Sequence, residues 1–136
     1  MSFGISTLYL AAAVRDNGAG EVITTEMSPD KITAARGIFT QTGLDDVVTI
    51  LEGDARETLA TVDREADFVF VDGWPELCLP VLKVLEPGLR PGTLVVADDV
   101  PSAGLGEYLA DVRDPANGYL NMRCPIDEGI EISCRV

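Results

Sequence analysis

The stretches Ala66-Asp-Phe-Val-Phe-Val-Asp-Gly73 and Thr93-Leu-Val-Val-Ala-Asp-Asp99 decide the predicted fold. Each is a short apolar run, rich in β-branched or aromatic residues, and each ends in aspartate, which is typical of a buried parallel strand. Between them, Pro75 opens a segment with helical spacing that Pro87-Gly88 ends. Strand, helix and strand in this order predict a parallel sheet.

The same alternation of helix and strand runs through the rest of the chain. We expect further strands over residues 21–26 and 47–51, and helices over 5–16, 29–43, 54–57 and 106–112. Tyr119–Cys124 and Ile130–Cys134, joined by Asp127-Glu-Gly129, predict an antiparallel hairpin. The predicted fold class is therefore α/β, a doubly wound, mainly parallel sheet with a C-terminal antiparallel hairpin, covered on both faces.

Local signals predict how the N-terminal helices begin and which side they present. Ser28 is the predicted N-cap of the second helix, with Pro29 at its first position. Asp54 is the predicted cap of the short third helix, in a capping box with Glu57. In the first helix, four residues share one face: Ile5, Leu8, Tyr9 and Ala12.

Length, charge and composition limit what the protein can do. Its 136 residues are enough for one domain. Ten Lys and Arg stand against 23 Asp and Glu, so the summed field repels phosphate backbones and anionic lipids, and we expect neither nucleic acid nor membrane as a partner. Histidine is absent, which excludes the Ser-His-Asp triad and zinc sites built on imidazole.

Cysteine usage and the N-terminal segment predict a cytoplasmic protein. Cys78, Cys124 and Cys134 are odd in number and form no C-x-x-C pair, which is typical of buried thiols in a reducing compartment. The apolar stretch Ile5–Val14 has no preceding positive charge, and Arg15-Asp16 follows at once. It therefore predicts neither a signal peptide nor a membrane span.

Acidic residues follow the predicted strands, at Glu26, Asp54, Asp72 and Asp98-Asp99. Ligands of doubly wound sheets bind outside the carboxyl ends of the strands, so these acids are candidate site residues. Helix capping is the alternative. It explains Asp54 well and Asp98-Asp99 poorly, because Val100-Pro101 follows and no helix is predicted there.

Taken in order, these pieces resemble a class I S-adenosylmethionine-dependent O-methyltransferase of the catechol O-methyltransferase-like, cation-dependent group. The resemblance implies a single methyltransferase domain over residues 1–136, Rossmann-like, which moves a methyl group to a hydroxyl oxygen of a small-molecule acceptor. It is carried by five segments, which are Phe3–Thr7, Thr25–Asp30, Gly43–Asp54, Phe68–Trp74 and Gly92–Val100.

The resemblance also implies which residues bind S-adenosylmethionine. Glu26 accepts hydrogen bonds from the ribose diol, although an acid here also serves nicotinamide dinucleotides. Asp54 accepts from the exocyclic amine of adenine. The other implied contacts are Gly4, Ser6, Met27, Gly53, Ala55 and Asp72. Independently of the resemblance, Gly4 allows close backbone approach, Ser6 and Thr7 lie at a helix N-terminus that favours an anion, and Met27 is equally good core filler.

Asp72, Asp98 and Asp99 fall on the positions of the group's metal ligands. Three hard, anionic oxygens suit Mg²⁺ or another divalent cation. Such a cation lowers the pKa of a bound hydroxyl, so the resemblance makes Asp72 a catalytic residue as well as a ligand. The third ligand of the group is usually Asn rather than the Asp99 present here.

Several positions depart from the catechol enzymes. Pro75 stands where they carry a basic residue that acts as general base, and Asn121 where they carry an acid that holds the second hydroxyl. Lys83 is expected to be a surface residue rather than a replacement base. Trp74 either lines an acceptor pocket or covers the sheet. Catechol itself is therefore not the expected acceptor.

The family's first strand and its E-x-G-x-G loop should precede or overlap Phe3-Gly4, so the printed sequence begins after the central strand of the sheet. The N-terminal helices that shape the acceptor pocket are absent with it. Such a sheet must close the gap, borrow a strand from a second copy in a homo-oligomer, or stay poorly ordered.

Three other functions are compatible with parts of the sequence. A non-catalytic remnant that binds a partner would explain the missing strand and Pro75. A Mg²⁺-binding receiver domain needs its acid pair after the first strand, whereas Asp98-Asp99 follows the last parallel strand. A nicotinamide-dependent oxidoreductase could use Glu26, but the Gly53-Asp-Ala-Arg56 segment argues against it.

Overall fold

The computed structural model describes residues 1–100, 102–126 and 128–136. Pro101 lies outside the described residues, and so does Asp127, the first residue of the predicted hairpin turn. The chain falls into two compact units, Met1–Thr61 and Val62–Val136. Within the described residues, no helix is both long enough and apolar enough to cross a bilayer.

The elements follow the predicted order. The first unit contains α1 (Ile5–Asn17), β1 (Val22–Glu26), α2 (Pro29–Thr42), β2 (Val48–Glu52) and α3 (Ala55–Thr58). The second contains β3 (Ala66–Val71), α4 (Pro75–Leu85), β4 (Leu89–Ala97), α5 (Gly106–Arg113), β5 (Tyr119–Cys124) and β6 (Ile130–Arg135). β4 begins four residues before the predicted Thr93, because Leu89 also pairs with Ala66 across an irregularity in the ladder.

The described strands form two sheets, which confirms the α/β class with parallel pairs and a C-terminal hairpin. β1 pairs with β2 in parallel. β3 pairs with β4 in parallel, and β6 lies antiparallel between β4 and β5. Among these strands β1 and β3 each pair with one neighbour only.

One face of the four-stranded sheet forms the core of the second unit. Val71, Val95 and Ala97 are buried there against Leu82 of α4 and Tyr108 of α5. All three cysteines are free, as predicted, but only Cys78 is buried; Cys124 on β5 and Cys134 on β6 are half-buried, which corrects the prediction of three buried thiols.

The opposite face of this sheet is apolar but largely uncovered, and we call it the open apolar face. Leu120 is 68% exposed. The expectation of a sheet covered on both faces is therefore wrong for this side in the part of the chain that the structure describes, because the core including α4 and α5 packs on the other side. The strand register aligns the face in two rows, Phe68, Leu94, Cys134 and Leu120, then Phe70, Val96, Ile132 and Met122.

The first helix buries a different side from the one predicted. Thr7 and Ala11 are its buried residues, whereas Tyr9 is 76% exposed. Small side chains let α1 lie close to β1, where the Thr7 hydroxyl is 3.4 Å from that of Thr24. The close packing of small residues, rather than the predicted apolar face, therefore determines which side of α1 is buried.

Helix boundaries follow the capping signals closely. Pro29 is the first residue of α2 and Ser28 its N-cap, although the Ser28 side chain makes no capping hydrogen bond. Gly18 and Gly43 end α1 and α2 in the left-handed conformation, which glycine adopts without strain. Asp54 caps α3 as predicted, but its side chain accepts the N–H of Arg56 rather than forming the predicted capping box with Glu57.

Candidate functional site

In the first unit, β1 ends at Glu26, whose carboxylate is held by backbone amides. Oε1 accepts the N–H groups of Met27 and Ser28, both at 3.0 Å, and Oε2 accepts that of Ser2 at 2.7 Å. The Met1 amino group lies 3.8 Å from Oε2. Burial alone would raise the pKa of Glu26, but these hydrogen bonds outweigh it and lower the pKa. The carboxylate is therefore ionised at neutral pH and fixed in orientation.

The predicted adenine residues lie beside this strand end. The N–H of Gly53 donates to the backbone oxygen of Glu26 at 2.9 Å, which joins the ends of β1 and β2. Gly53 has a φ of 134°, a conformation that favours glycine, so the chain can turn directly into Asp54 and α3. The structure thus brings Glu26, Gly53 and Asp54 together.

Arg56 binds the Asp54 carboxylate through its backbone and its side chain. No role for Arg56 is predicted from the sequence. Oδ1 accepts the backbone N–H of Arg56 at 2.9 Å and its Nε at 3.0 Å. Oδ2 accepts Nη2 at 2.5 Å and lies 3.2 Å from Nε. The side-chain hydrogen bonds from Arg56, and then its backbone N–H, lower the pKa of Asp54 to about 2. The spacing Asp54-Ala-Arg56 was the available signal, since an N-cap side chain faces the residue two places on.

The remaining predicted cofactor residues of this unit differ in surroundings. Met27 is 65% exposed, which excludes the core-filler interpretation. Gly4 has a φ of 88°, and a Cβ at this position would lie 2.9 Å from the Phe39 ring of α2. Packing against α2 is therefore sufficient to explain why this residue is glycine. Ser6 is half-buried in the first turn of α1.

In the second unit, the predicted metal ligands follow β3 and β4. The N–H of Asp98 donates to the Val71 oxygen at 3.2 Å, which extends the ladder to the residue before Asp72. Asp99 has a φ of 54°, uncommon for a non-glycine residue, and its N–H donates to Asp98 Oδ1 at 2.9 Å. Burial raises the pKa of Asp72, and the negative charges of Asp98 and Asp99 act in the same direction.

The donor set fits a divalent cation in kind but is not gathered into a site. Carboxylate oxygens are ligands that Mg²⁺ prefers, and mutual repulsion at Asp72 is what a cation would relieve. Within the described ranges, however, no three acidic or thiol side chains are placed to hold a metal ion. The geometry therefore favours a negatively charged strand end rather than a preformed metal centre.

The other side chains considered for catalysis are either exposed or make structural contacts. Trp74 is 72% exposed, so it does not serve to cover the sheet. The Asn121 amide donates to the Val112 oxygen and accepts the Ser133 hydroxyl, both at 2.6 Å, and so ties β5 to α5 and β6. Lys83 pairs with Glu86 and Asp111, which confirms it as a surface residue.

Two cavities in the first unit, of about 300 and 230 Å³, lie away from these strand ends. None of the predicted site residues lines either of them. The larger is an open groove beside α2 and β2, lined by Arg36, Phe39, Thr40, Asp45, Val48 and Ile50. We place the candidate site at the strand ends because Glu26, Gly53 and Asp54 lie together there.

Comparison with known proteins identifies relatives of the chain. Residues 1–100 match a protein-family model that is described as a methyltransferase domain. Catechol O-methyltransferase B of Danio rerio is 31% identical over 118 residues, covering 82% of this chain and 44% of the relative. Catechol O-methyltransferase of Sus scrofa is 31% identical over 102 residues, covering 70% of this chain and 55% of the relative. The chain thus spans about half the length of these relatives.

Solved structures share the fold over nearly the whole chain. A SAH-bound methyltransferase from Podospora anserina, in which SAH is S-adenosylhomocysteine, superimposes with a TM-score of 0.87 at 24% identity, covering 99% of this chain and 68% of that one. An O-methyltransferase from Bacillus cereus in complex with SAH gives 0.79 at 22% identity, covering 99% and 70%. At such identities the likeness shows the fold.

Proposed function

Because this chain belongs to the methyltransferase-domain family, and within it to the class I, catechol O-methyltransferase-like type, we propose that the protein transfers a methyl group from S-adenosylmethionine to a hydroxyl oxygen of a small molecule. The observation that carries the proposal is the joined end of β1 and β2, where Glu26, Gly53 and Asp54 lie together. We propose that both units belong to a single methyltransferase domain over residues 1–136, which the match of the family model to residues 1–100 supports.

The residues of the first unit have the chemistry that the cofactor requires. Glu26 offers an ionised, oriented carboxylate that can accept hydrogen bonds from a ribose diol. Asp54 offers a second carboxylate that can accept an N–H of the adenine amine. Carboxylates at these strand ends also favour the positive sulfonium of S-adenosylmethionine. A nicotinamide adenine dinucleotide carries the same adenosine and could make both contacts, so the choice of S-adenosylmethionine rests on the relatives, which are methyltransferases.

In the second unit, we propose that Asp72, Asp98 and Asp99 supply carboxylate ligands to a divalent cation that serves as the reaction's cofactor, although the described side chains are not gathered into a metal site. When bound, the cation supplies positive charge that lowers the pKa of an acceptor hydroxyl and orients it. The electrostatics of Asp72 support this proposal: burial raises the pKa of this carboxyl, the negative charges of Asp98 and Asp99 add to the rise, and a cation would offset that repulsion. A non-catalytic binding role is not favoured, since the curated relatives are named as enzymes. A cytoplasmic location remains a prediction.

Calorimetric titration with SAH tests the cofactor proposal. We expect saturable heat and a rise in the thermal midpoint, because a ligand that binds only the folded state stabilises it by mass action. NAD⁺ is the matched control, since it also carries a ribose diol for Glu26. Heat with NAD⁺ and none with SAH would transfer the site to the oxidoreductase alternative, and silence with both ligands would refute the proposal.

Titration with Mg²⁺ tests the cation separately. We expect heat that EDTA reverses, and its loss in the Asp98→Asn variant, because that change removes one of the proposed anionic ligands. Asp67→Asn is the control, since Asp67 is an acid of the same unit that pairs with Arg90 on the surface. Equal heats in the two variants would show that Mg²⁺ binds to the acidic surface at large, and the cation proposal would then fail.

A further inference from the structure

We propose that Arg56 is a positioning residue that fixes the Asp54 carboxylate for the amino group of adenine, and thereby makes the site prefer adenine over a base with oxygen in place of that amine. The inference rests on the proposed function, because it assumes that Asp54 meets the cofactor's base. It adds a residue that contacts Asp54 rather than the ligand.

The geometry of the pair restrains the carboxylate at both oxygens. Oδ1 is occupied by two donors of Arg56, its backbone N–H and Nε. Oδ2 receives the short Nη2 contact at 2.5 Å and the longer Nε contact at 3.2 Å. Nε carries a single hydrogen, which it shares between Oδ1 at 3.0 Å and Oδ2 at 3.2 Å, so the main hydrogen bond to Oδ2 is the one from Nη2. Because a carboxylate oxygen can accept two hydrogen bonds, Oδ2 keeps room for one further donor in a fixed direction. Without the guanidinium, only the backbone N–H would restrain the group, and the carboxylate could rotate.

A fixed acceptor discriminates between bases more sharply than a mobile one. The amine of adenine donates an N–H, whereas hypoxanthine presents an oxygen at that position, which a carboxylate repels. Hypoxanthine also carries an N–H on the neighbouring ring nitrogen, which a rotating carboxylate could reach instead. Holding Asp54 in one plane removes that second way of binding. The Arg56 clamp therefore acts on selectivity more than on affinity.

The charge on Asp54 follows from the same contact. Arg56 is the partner that lowers its pKa to about 2. The strands packed against α3 bring Glu26, which is held by backbone amides, and Glu52, which pairs with Arg36 at 2.7 Å. On α3 itself Glu57 lies next to Arg56. Because Arg56 is the cation of this group that touches Asp54, its removal should return the pKa of Asp54 toward the ordinary value near 3.8.

The test combines an Arg56→Gln variant with two measurements on the 136-residue chain. Carboxyl NMR titration should show the pKa of Asp54 rising in Arg56→Gln. Calorimetry should show that the preference for SAH over S-inosylhomocysteine, its hypoxanthine analogue, falls about tenfold, the size expected for one charge-assisted hydrogen bond. SAH binding by the variant should also weaken as the pH falls from 5 to 4, where the wild-type Asp54 stays ionised.

Arg36→Gln is the matched control, because it removes the same charge from an exposed arginine–carboxylate pair of the same unit without touching Asp54. It should leave both readouts unchanged. Arg56→Lys should keep most of the lowered pKa but not the selectivity, since one ammonium cannot hold both oxygens in a plane. An unchanged Asp54 pKa in Arg56→Gln overturns the inference, as does tighter SAH binding, which would make Arg56 a competitor of the ligand. Absence of SAH binding in every form together with the pKa shift overturns the proposed function and leaves Arg56 as part of the helix cap alone.

Discussion

A Glu26→Gln variant is expected to bind SAH about 30- to 150-fold more weakly than the wild type, equivalent to about 2–3 kcal/mol. The carboxylate is held by the N–H groups of Met27 and Ser28 on Oε1 and of Ser2 on Oε2, so its orientation is fixed and Oε2 keeps room for a ribose hydroxyl. Glutamine keeps the shape but replaces a charged acceptor with an amide, half of which is a donor that faces those N–H groups. Isothermal calorimetry measures the loss directly.

Glu52→Gln is the control for this variant, because Glu52 stands opposite Glu26 at the end of β2 and carries the same charge. It should bind SAH as the wild type does. Thermal denaturation separates lost binding from lost structure, since Glu26 also holds the Ser2 amide. Wild-type affinity in Glu26→Gln would remove this residue from the cofactor site.

An Arg113→Ala variant is expected to lower the free energy of unfolding of the second unit by about 2–4 kcal/mol. Glu131 on β6 is 1% exposed, and its two carboxylate oxygens accept Nε at 2.8 Å and Nη2 at 2.6 Å from Arg113. Removal of the guanidinium leaves a buried carboxylate without its counterion. Because the Arg113 side chain is itself 44% exposed, water can replace part of the interaction, which places the effect below that of a fully buried pair. Urea denaturation followed by circular dichroism gives the change.

A double-mutant cycle provides the controls. Glu131→Gln in the Arg113→Ala background should recover part of the lost stability, because a neutral amide is less costly to bury than an unpaired carboxylate. Arg90→Ala removes an equal charge from an exposed pair with Asp67 and should cost less than about 1 kcal/mol. Equal losses in Arg113→Ala and Arg90→Ala would contradict a special role for the buried pair.

Local signals account for most of the correct predictions of the fold. Strand β3 and helix α4 have the bounds that Ala66–Val71 and Pro75–Leu85 predict, since turn residues and a proline mark their ends. The helix side of α1 was wrong because the apolar period pointed to Tyr9, whereas Thr7 and Ala11 are small enough to approach β1. Packing distance is a tertiary property, and a hydrophobic pattern does not contain it.

The candidate site was predictable to the extent that it depends on strand ends. Glu26 and Asp54 could be located because a polar residue follows each apolar run, and the ladder brings these ends together. The contact between Arg56 and Asp54 was not predicted because it depends on a side-chain rotamer. The salt bridge between Arg113 and Glu131 was not predicted because the two residues are 18 positions apart in the sequence. The sequence predicts that the three aspartates follow neighbouring strands, but it does not predict the left-handed backbone conformation of Asp99.

The open apolar face makes the colloidal behaviour of this chain depend on salt. Copies that carry a net charge of -13 repel one another at low ionic strength, and this keeps surfaces containing Leu120 and Met122 apart. The screening length falls from about 30 Å at 0.01 M salt to about 3 Å at 1 M, so the repulsion fades while the apolar attraction persists. We therefore expect copies of this molecule to self-associate more readily at high salt than at low salt.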